Sequence, residues 1–470
     1  MDNQMKKHYG LFTAICMVVG IVIGSGVFFK AQDILNYTGG NMLLGILAWV
    51  IGGIVMIICA FNFANFGTKY VKVNGVVDYA EAIVGPKYAY MTGWFLTTIY
   101  YPAMTAVLAW VSARYTLVLF NPDADITGGL CMALGGFYLC LAYTINVISP
   151  KIAGKFQVSA TVVKLIPLAI IVVVGTIAGL INGNTVEAFS VSFSTSGGNF
   201  DSVFAGIGAA AFAYEGWIIA TSINSELNEP KKNLPRALVI GTAIIMVIYI
   251  TYFVGLSGGA PIDILRTQGA TAAFKNLFGN VGSVILNAFI VVSCLDTLNG
   301  LMLANTRSLY SLSIRETGPK PQMFSQIDPQ TNMPVNSSAL TLLFCGAWFF
   351  YFYGANLTSP IFGVFSFDSS ELPIITIYAL YIPIFIMYIV KEGKKSIFKN
   401  IVMPILAICA SLFMIFVAIY AHGIVKYMEA AQNGTFAFPV FFYLIVFAVI
   451  MIIGAVLYKR KEKRDEIEKE

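Results

Sequence analysis

Between residues 10 and 458 the chain passes through twelve stretches, each about 20 residues or longer and almost free of charge. A helix of about 20 apolar residues spans the hydrocarbon core of a bilayer. Runs this numerous leave one fold class, an all-α polytopic membrane protein. The spans fall at 10–35, 42–66, 88–120, 127–148, 156–181, 201–225, 236–257, 281–310, 336–354, 360–390, 401–422 and 438–458. Only 11% of the residues are charged and 58% are hydrophobic, against roughly 25% charge in a soluble domain. An array of soluble domains is thereby excluded.

The net charge of +5 does not point to nucleic acid, because the lysines lie in the loops that flank the spans. Twelve spans put both termini on one side. Placing them in the cytoplasm leaves only Arg114, Arg266, Lys275 and Lys426 outside, with Lys30 and Lys164 within spans, out of 29 Lys and Arg. Such an inside excess of basic residues is the usual orientation signal. The expectation is a plasma-membrane protein with a cytoplasmic segment 1–9 and a charged cytoplasmic tail 459–470. The basic start MDNQMKKHYG is followed by no small-residue cleavage site, so 10–35 is a first span and not a signal peptide. All seven cysteines fall inside apolar runs without metal-site or disulfide spacing. The two histidines, His8 and His422, mark no site, and neither a cofactor nor a metal is expected.

Residues 20–29 read GIVIGSGVFF. Glycine costs about 1 kcal/mol relative to alanine inside a helix, so Gly24-Ser25-Gly26 in mid-span marks a place where the helix gives way. Gly20 and Gly24 alone, four apart, are explained by close helix packing. A second interruption five spans later favours the broken helix. There FAGIGAAAFAYEGWII (204–219) carries Glu215, an acidic side chain at membrane depth, followed by Gly216. Paired interruptions at corresponding positions are the mark of inverted-repeat transporters, here spans 1–5 and 6–10, with spans eleven and twelve appended. Unwinding exposes backbone groups that are tolerated only along a cavity. N–H groups near Ser25 and Gly26 face the gap with the positive end of the outer half-helix and suit a carboxylate. Carbonyls at Val22, Ile23, Phe212 and Ala213 suit an ammonium group. A site offering both is complementary to an α-amino acid.

These motifs, with NEPKKNLPRA (228–237), GTKYVKVNGVVDYAEAIVGPKYAYMTGW (67–94) and LDTLNGLMLANTRSLYSLSIRETGP (295–319), resemble the amino acid–polyamine–organocation superfamily. Within it the likeness is to the L-type amino acid transporter family and its bacterial serine/threonine-exchanger relatives, from about residue 10 to 390. The resemblance implies a LeuT-type fold with discontinuous spans one and six, rocking-bundle alternating access and amino acid exchange. It implies carboxylate binding at Gly24, Ser25 and Gly26, and amine binding by backbone carbonyls of Val22, Phe212, Ala213 and Glu215. The Phe212 ring then closes over the substrate. Glu215 stands where many relatives carry glycine or aspartate, leaving three roles open: shaping specificity, sensing protons or bonding to nearby backbone. Eukaryotic members join an accessory glycoprotein through a cysteine between spans three and four. That loop here, FNPDADITGG (120–129), has none, and no disulfide-linked partner is expected.

Lys164 lies deep in span five, in VSATVVKLIPLAII (158–171). A central lysine costs about 2.5–3.5 kcal/mol on insertion scales. Snorkelling to the cytoplasmic face is the simple explanation, but Lys155 lies nine residues away, about 13 Å along a helix, which is a long reach. In the resembling family a span-five lysine stands where sodium-coupled relatives bind their second sodium. The resemblance thus implies sodium-independent transport, with Lys164 as the internal cation and Tyr249 as a weaker candidate for the same network. Asp296 sits near the centre of span eight, with Ser293 in position to face the substrate. Asp368 and Glu371 precede Pro373, where a local break and a proton relay are equally good readings.

The expected function is sodium-independent antiport of small neutral L-amino acids (Ala, Ser, Thr or Cys), because Phe212 over the site leaves modest room. The alternative is a proton-coupled symporter of the same fold, with Glu215 or Asp296 titrating. No intramembrane ligand cluster or nucleophile–base pair suggests an enzyme. Two interruptions at one depth fit an occluding site better than a channel's continuous polar path. The expected division is a transporter core over 10–390, spans eleven and twelve over 391–458, and the tail.

Overall fold

Apolar runs in lipid must satisfy their own backbone, and these do so as helices. The computed structural model describes residues 10–24, 26–70, 75–121, 124–190, 202–219, 221, 227–357 and 359–467. Ser25, the segment 1–9 with His8, and the end of the tail lie outside the described residues. The principal helices are α1 (Leu11–Val22), α2 (Gly26–Tyr37), α3 (Met42–Lys69), α4 (Val76–Ile83), α5 (Pro86–Phe120), α6 (Gly129–Ile148) and α7 (Ile152–Asn182). They continue with α8 (Ser202–Ala213), α9 (Pro230–Gly259), α10 (Ile262–Ser313), α11 (Val335–Ala355), α12 (Leu372–Glu392), α13 (Phe398–Gln432) and α14 (Pro439–Ile467). Among the described residues ten helices are long and apolar enough to cross a membrane, or eleven if α1 and α2 count as one bent span. The sixth expected span, 201–225, is represented by the short apolar helix α8, and much of its second half lies outside the described residues.

Both expected interruptions are present. The axes of α1 and α2 differ by 50°, and Ile23 leaves helical geometry at ψ 95°. Helix α8 stops at Ala213, and Gly216 sits at φ 108°, where a side chain is strained. Its Cα lies against the Ile21 carbonyl of α1, so a Cβ there would come within 3.3 Å of that oxygen. The two breaks therefore touch.

Span ten differs from expectation. Residues 360–371 form turns and one short 3₁₀ segment, and the helix begins only at Leu372. The Asp368 carboxylate accepts the N–H groups of Ser370 (2.7 Å) and Glu371 (3.1 Å), satisfying donors that a helix start leaves open. Helix α10 is interrupted by non-helical Gly269 and Gly279, so span eight proper begins after Gly279.

Helices α7 and α9 approach so closely at Gly175, Gly179, Gly255 and Gly258 that any Cβ would strike the opposite backbone. Helix α2 packs on α8, α1 on α9, and both α2 and α7 on α10. The broken helices thus lie side by side, backed by α7, α9 and α10.

Candidate functional site

Beside the two breaks lies a cavity of about 1150 Å³, walled by Gly24, Gly26, Phe212, Ala213 and Glu215 together with Tyr100, Lys164 and Thr297. Among the described residues its lining continues past Arg307 to Asp78 at the start of α4 and to Asn332, Met333 and Pro334. That mouth is organised by charge. Arg315 at the end of α10 pairs with Asp78 and reaches Glu81 at 3.7 Å. In the loop before α11, the N–H and hydroxyl of Thr331 (both 2.8 Å) bind the Asp328 carboxylate. Those bonds hold its pKa below the usual carboxylate range.

The exposed carbonyls at the breaks are shared. The buried Tyr249 hydroxyl donates towards Val22 O (3.1 Å) and Ala213 O (2.9 Å), one from each interrupted helix. Its ring is fixed by stacking on Tyr214 (5.1 Å) and by edge contact with Trp49 (5.3 Å). A phenol has one proton, so one O–H serves two acceptors and leaves capacity for a further donor. Phe212 O accepts from Glu215 N at 3.2 Å. Ile23 is buried behind the wall, its own N–H on Val19 O at 2.8 Å. Tyr249→Phe is expected to leave the fold intact at a stability cost of about 1–3 kcal/mol, because the lost bond leaves its carbonyls buried; thermal unfolding in detergent checks it.

Lys164 does not snorkel. Its ammonium is buried, 2.5 Å from the carbonyl of Gly20 and 2.6 Å from Asp296 Oδ2, with side-chain exposures of 1% and 0% for the two partners. The structure thus pairs two charges that the sequence placed in different spans, and Asp296 cancels the charge of Lys164. Ser293, expected to face the substrate, is fully buried and outside the cavity wall. One turn on, Thr297 lines the cavity, its hydroxyl bonded to Ser293 O at 3.0 Å.

Glu215 accepts a hydrogen bond from Tyr100. Tyr100 closes a π-helical turn, Leu96–Tyr100, of α5, a local widening that often accompanies functional sites. Pro102 follows. It lacks an N–H, and the carbonyl of Thr98 is taken instead by the Trp348 indole at 2.9 Å. On the other side, the Phe212 ring meets Phe29 edge-on at 5.4 Å and lies 5.2 Å beneath the Lys30 ammonium. Lys30 in turn bonds Glu371 at 2.6 Å, and Glu371 contacts His422 at 3.1 Å.

Sequence reasoning passed over Lys30, Tyr100, Thr297 and His422. A pairing between residues 341 apart leaves no local pattern. Asp296 did carry a signal, since a second charge at membrane depth calls for a partner.

Residues 9–453 match the sequence profile of the amino acid permease family. The chain is 31% identical over 425 residues to the serine/threonine exchanger SteT of Bacillus subtilis, covering 88% of this chain and 91% of that protein. It is 26% identical over 430 residues to the b(0,+)-type amino acid transporter 1 of Mus musculus, covering 91% and 85%. With the Asc-type amino acid transporter 1 of Mus musculus it shares 27% identity over 352 residues, covering 73% and 64%.

Proposed function

The chain belongs to the amino acid permease family and is a multi-pass membrane protein that transports amino acids; from that premise we propose sodium-independent exchange of small neutral L-amino acids at the cavity beside the breaks. Substrate carboxylate binds the backbone N–H groups around Gly24, Ser25 and Gly26, at the positive end of α2. The ammonium binds the carbonyls of Val22, Ile23 and Ala213, sharing them with the Tyr249 hydroxyl. Phe212 is the lid. Its contact with Phe29 and the Tyr100–Glu215 pair favour side chains as small as those of Ala, Ser, Thr and Cys, and the likeness to the serine/threonine exchanger SteT supports serine and threonine.

On this reading two inverted five-span repeats are followed by two further spans, both termini are cytoplasmic, and the cavity mouth lies on the cytoplasmic side of the plasma membrane. Alternating access then follows from tilting the broken helices against their surroundings. One observation carries the absence of sodium: the Lys164 ammonium occupies the carbonyl of Gly20 at the end of α1 and is neutralised by Asp296. A tethered cation needs no co-transported one. No disulfide-linked partner is part of this reading.

Glu215, a carboxylate in the cavity wall with Tyr100 on it, favours a second reading, proton-coupled symport. Uptake of radiolabelled serine into vesicles separates the two. Exchange requires unlabelled small neutral amino acids inside, proceeds at a rate indifferent to an imposed pH gradient, and survives in Glu215→Gln. Concentrative uptake into empty vesicles driven by a pH gradient, and abolished in Glu215→Gln, transfers the assignment to the symporter.

A further inference from the structure

We propose that Lys30, Glu371 and His422 form a latch that closes the cavity on the face opposite its mouth, and that each transport cycle hands Lys30 from Glu371 to Asp33. The inference rests on the alternating-access reading above. Lys30 lies on α2, the outer half of the first broken helix. Its ammonium is 2.6 Å from Glu371 Oε1, with side-chain exposures of 6% and 1%. Glu371 Oε2 lies 3.1 Å from His422 Nε2 of α13. The other broken helix abuts the same carboxylate, because a Cβ at Gly208 of α8 would stand 2.8 Å from Glu371 Oε2. One cluster therefore seats both interrupted helices against α12 and α13. Phe212 lies directly beneath it, its ring within cation–π range of Lys30 at 5.2 Å.

A buried ion pair is a poor source of net stability, and its better attested use is to specify one arrangement against another. Here every charge keeps a partner when the pair parts. Asp33, one turn along α2, is 3.4 Å from the Lys30 ammonium and 39% exposed, so it travels with Lys30 and looks to solvent. Glu371 keeps His422. The ligating atoms of Asp368, Glu371 and His422 converge within 4.8 Å as a metal trio would, but the positive charge at that point is the lysine. Tyr37 of α2, a neutral phenol, also couples electrostatically to this cluster, and Tyr115 of α5 couples to Asp33.

The two carboxylates hold Lys30 in opposite states, so their removal shifts the population in opposite directions. In oriented vesicles, the half-saturating concentration of radiolabelled serine is measured separately from each face. Glu371→Gln is expected to lower it on the latch face and raise it on the mouth face, by about fivefold or more. Asp33→Asn is expected to do the reverse. A change of the same sign on both faces, or none, overturns the latch while exchange itself, and with it the functional reading, stands. A Lys30→Cys/Glu371→Cys pair joined by a bifunctional thiol reagent supplies a second arm. Exchange is expected to stop on cross-linking and return on cleavage of the link; full exchange in the cross-linked protein overturns the proposal.

Discussion

Lys164→Ala is expected to reduce serine exchange at least a hundredfold, to the background of empty vesicles. The ammonium ties three helices together, bonding the Gly20 carbonyl on α1 and Asp296 on α10 from its own place on α7. Removing it leaves the Asp296 carboxylate buried without a counter-charge. Breaking a buried pair from one side costs about 3–5 kcal/mol, and each 1.4 kcal/mol is about tenfold in a population. The effect has two separable parts. Lys164→Met combined with Asp296→Asn removes both charges and is expected to recover most of the lost thermal stability in detergent. Exchange is not expected to recover, because the end of α1 still lacks its donor. Recovery of flux in the double variant would show that Lys164 serves only to neutralise Asp296.

Gly26→Val is expected to abolish exchange, again a loss of about a hundredfold or more, at a stability cost of about 1–3 kcal/mol. A Cβ at Gly26 would stand 3.1 Å from the Cα of Ala213 and 3.4 Å from the Phe212 ring. The obstacle is backbone, so relief requires α2 and α8 to separate, and the cavity wall goes with them. Gly24 makes an instructive contrast. A Cβ there meets the Thr297 hydroxyl at 2.6 Å, a side-chain atom. Gly24→Ala is accordingly expected to be rescued by Thr297→Ala, whereas no side-chain truncation rescues Gly26→Val. Flux and thermal unfolding measured on the same preparations decide both comparisons.

The legible parts of this protein were those written in backbone terms. GIVIGSGVFF and FAYEGW announce their breaks locally, through glycine and an acidic residue inside apolar runs, and the structure breaks at both. The start of α12 was misjudged because the apolar residues 360–365 look like a span, while Asp368 holds a turn at Ser370 and Glu371 and the helix begins only at Leu372. Side-chain partnerships were the illegible part. Lys164 was conspicuous, yet its partner Asp296 lies 132 residues on, and only the fold brings the two together. Tyr249 was legible only as a weaker candidate for the Lys164 network. Its position over two carbonyls, from helices 227 and 36 residues away in sequence, depends on both breaks meeting at one depth. His422 looked empty because its partner Glu371 is supplied by the non-helical approach to another span.

On the exchange reading proposed above, a tethered ammonium replaces a transported cation. The most direct measurement is the initial rate of radiolabelled serine entry into vesicles preloaded with unlabelled serine, first in sodium chloride and then in choline chloride. Equal rates are expected, with equal half-saturating concentrations in the two salts. A rate that falls when sodium is withdrawn would contradict the account, and the carbonyl of Gly20 and the carboxylate of Asp296 would then have to be reassigned to an ion that Lys164 does not replace.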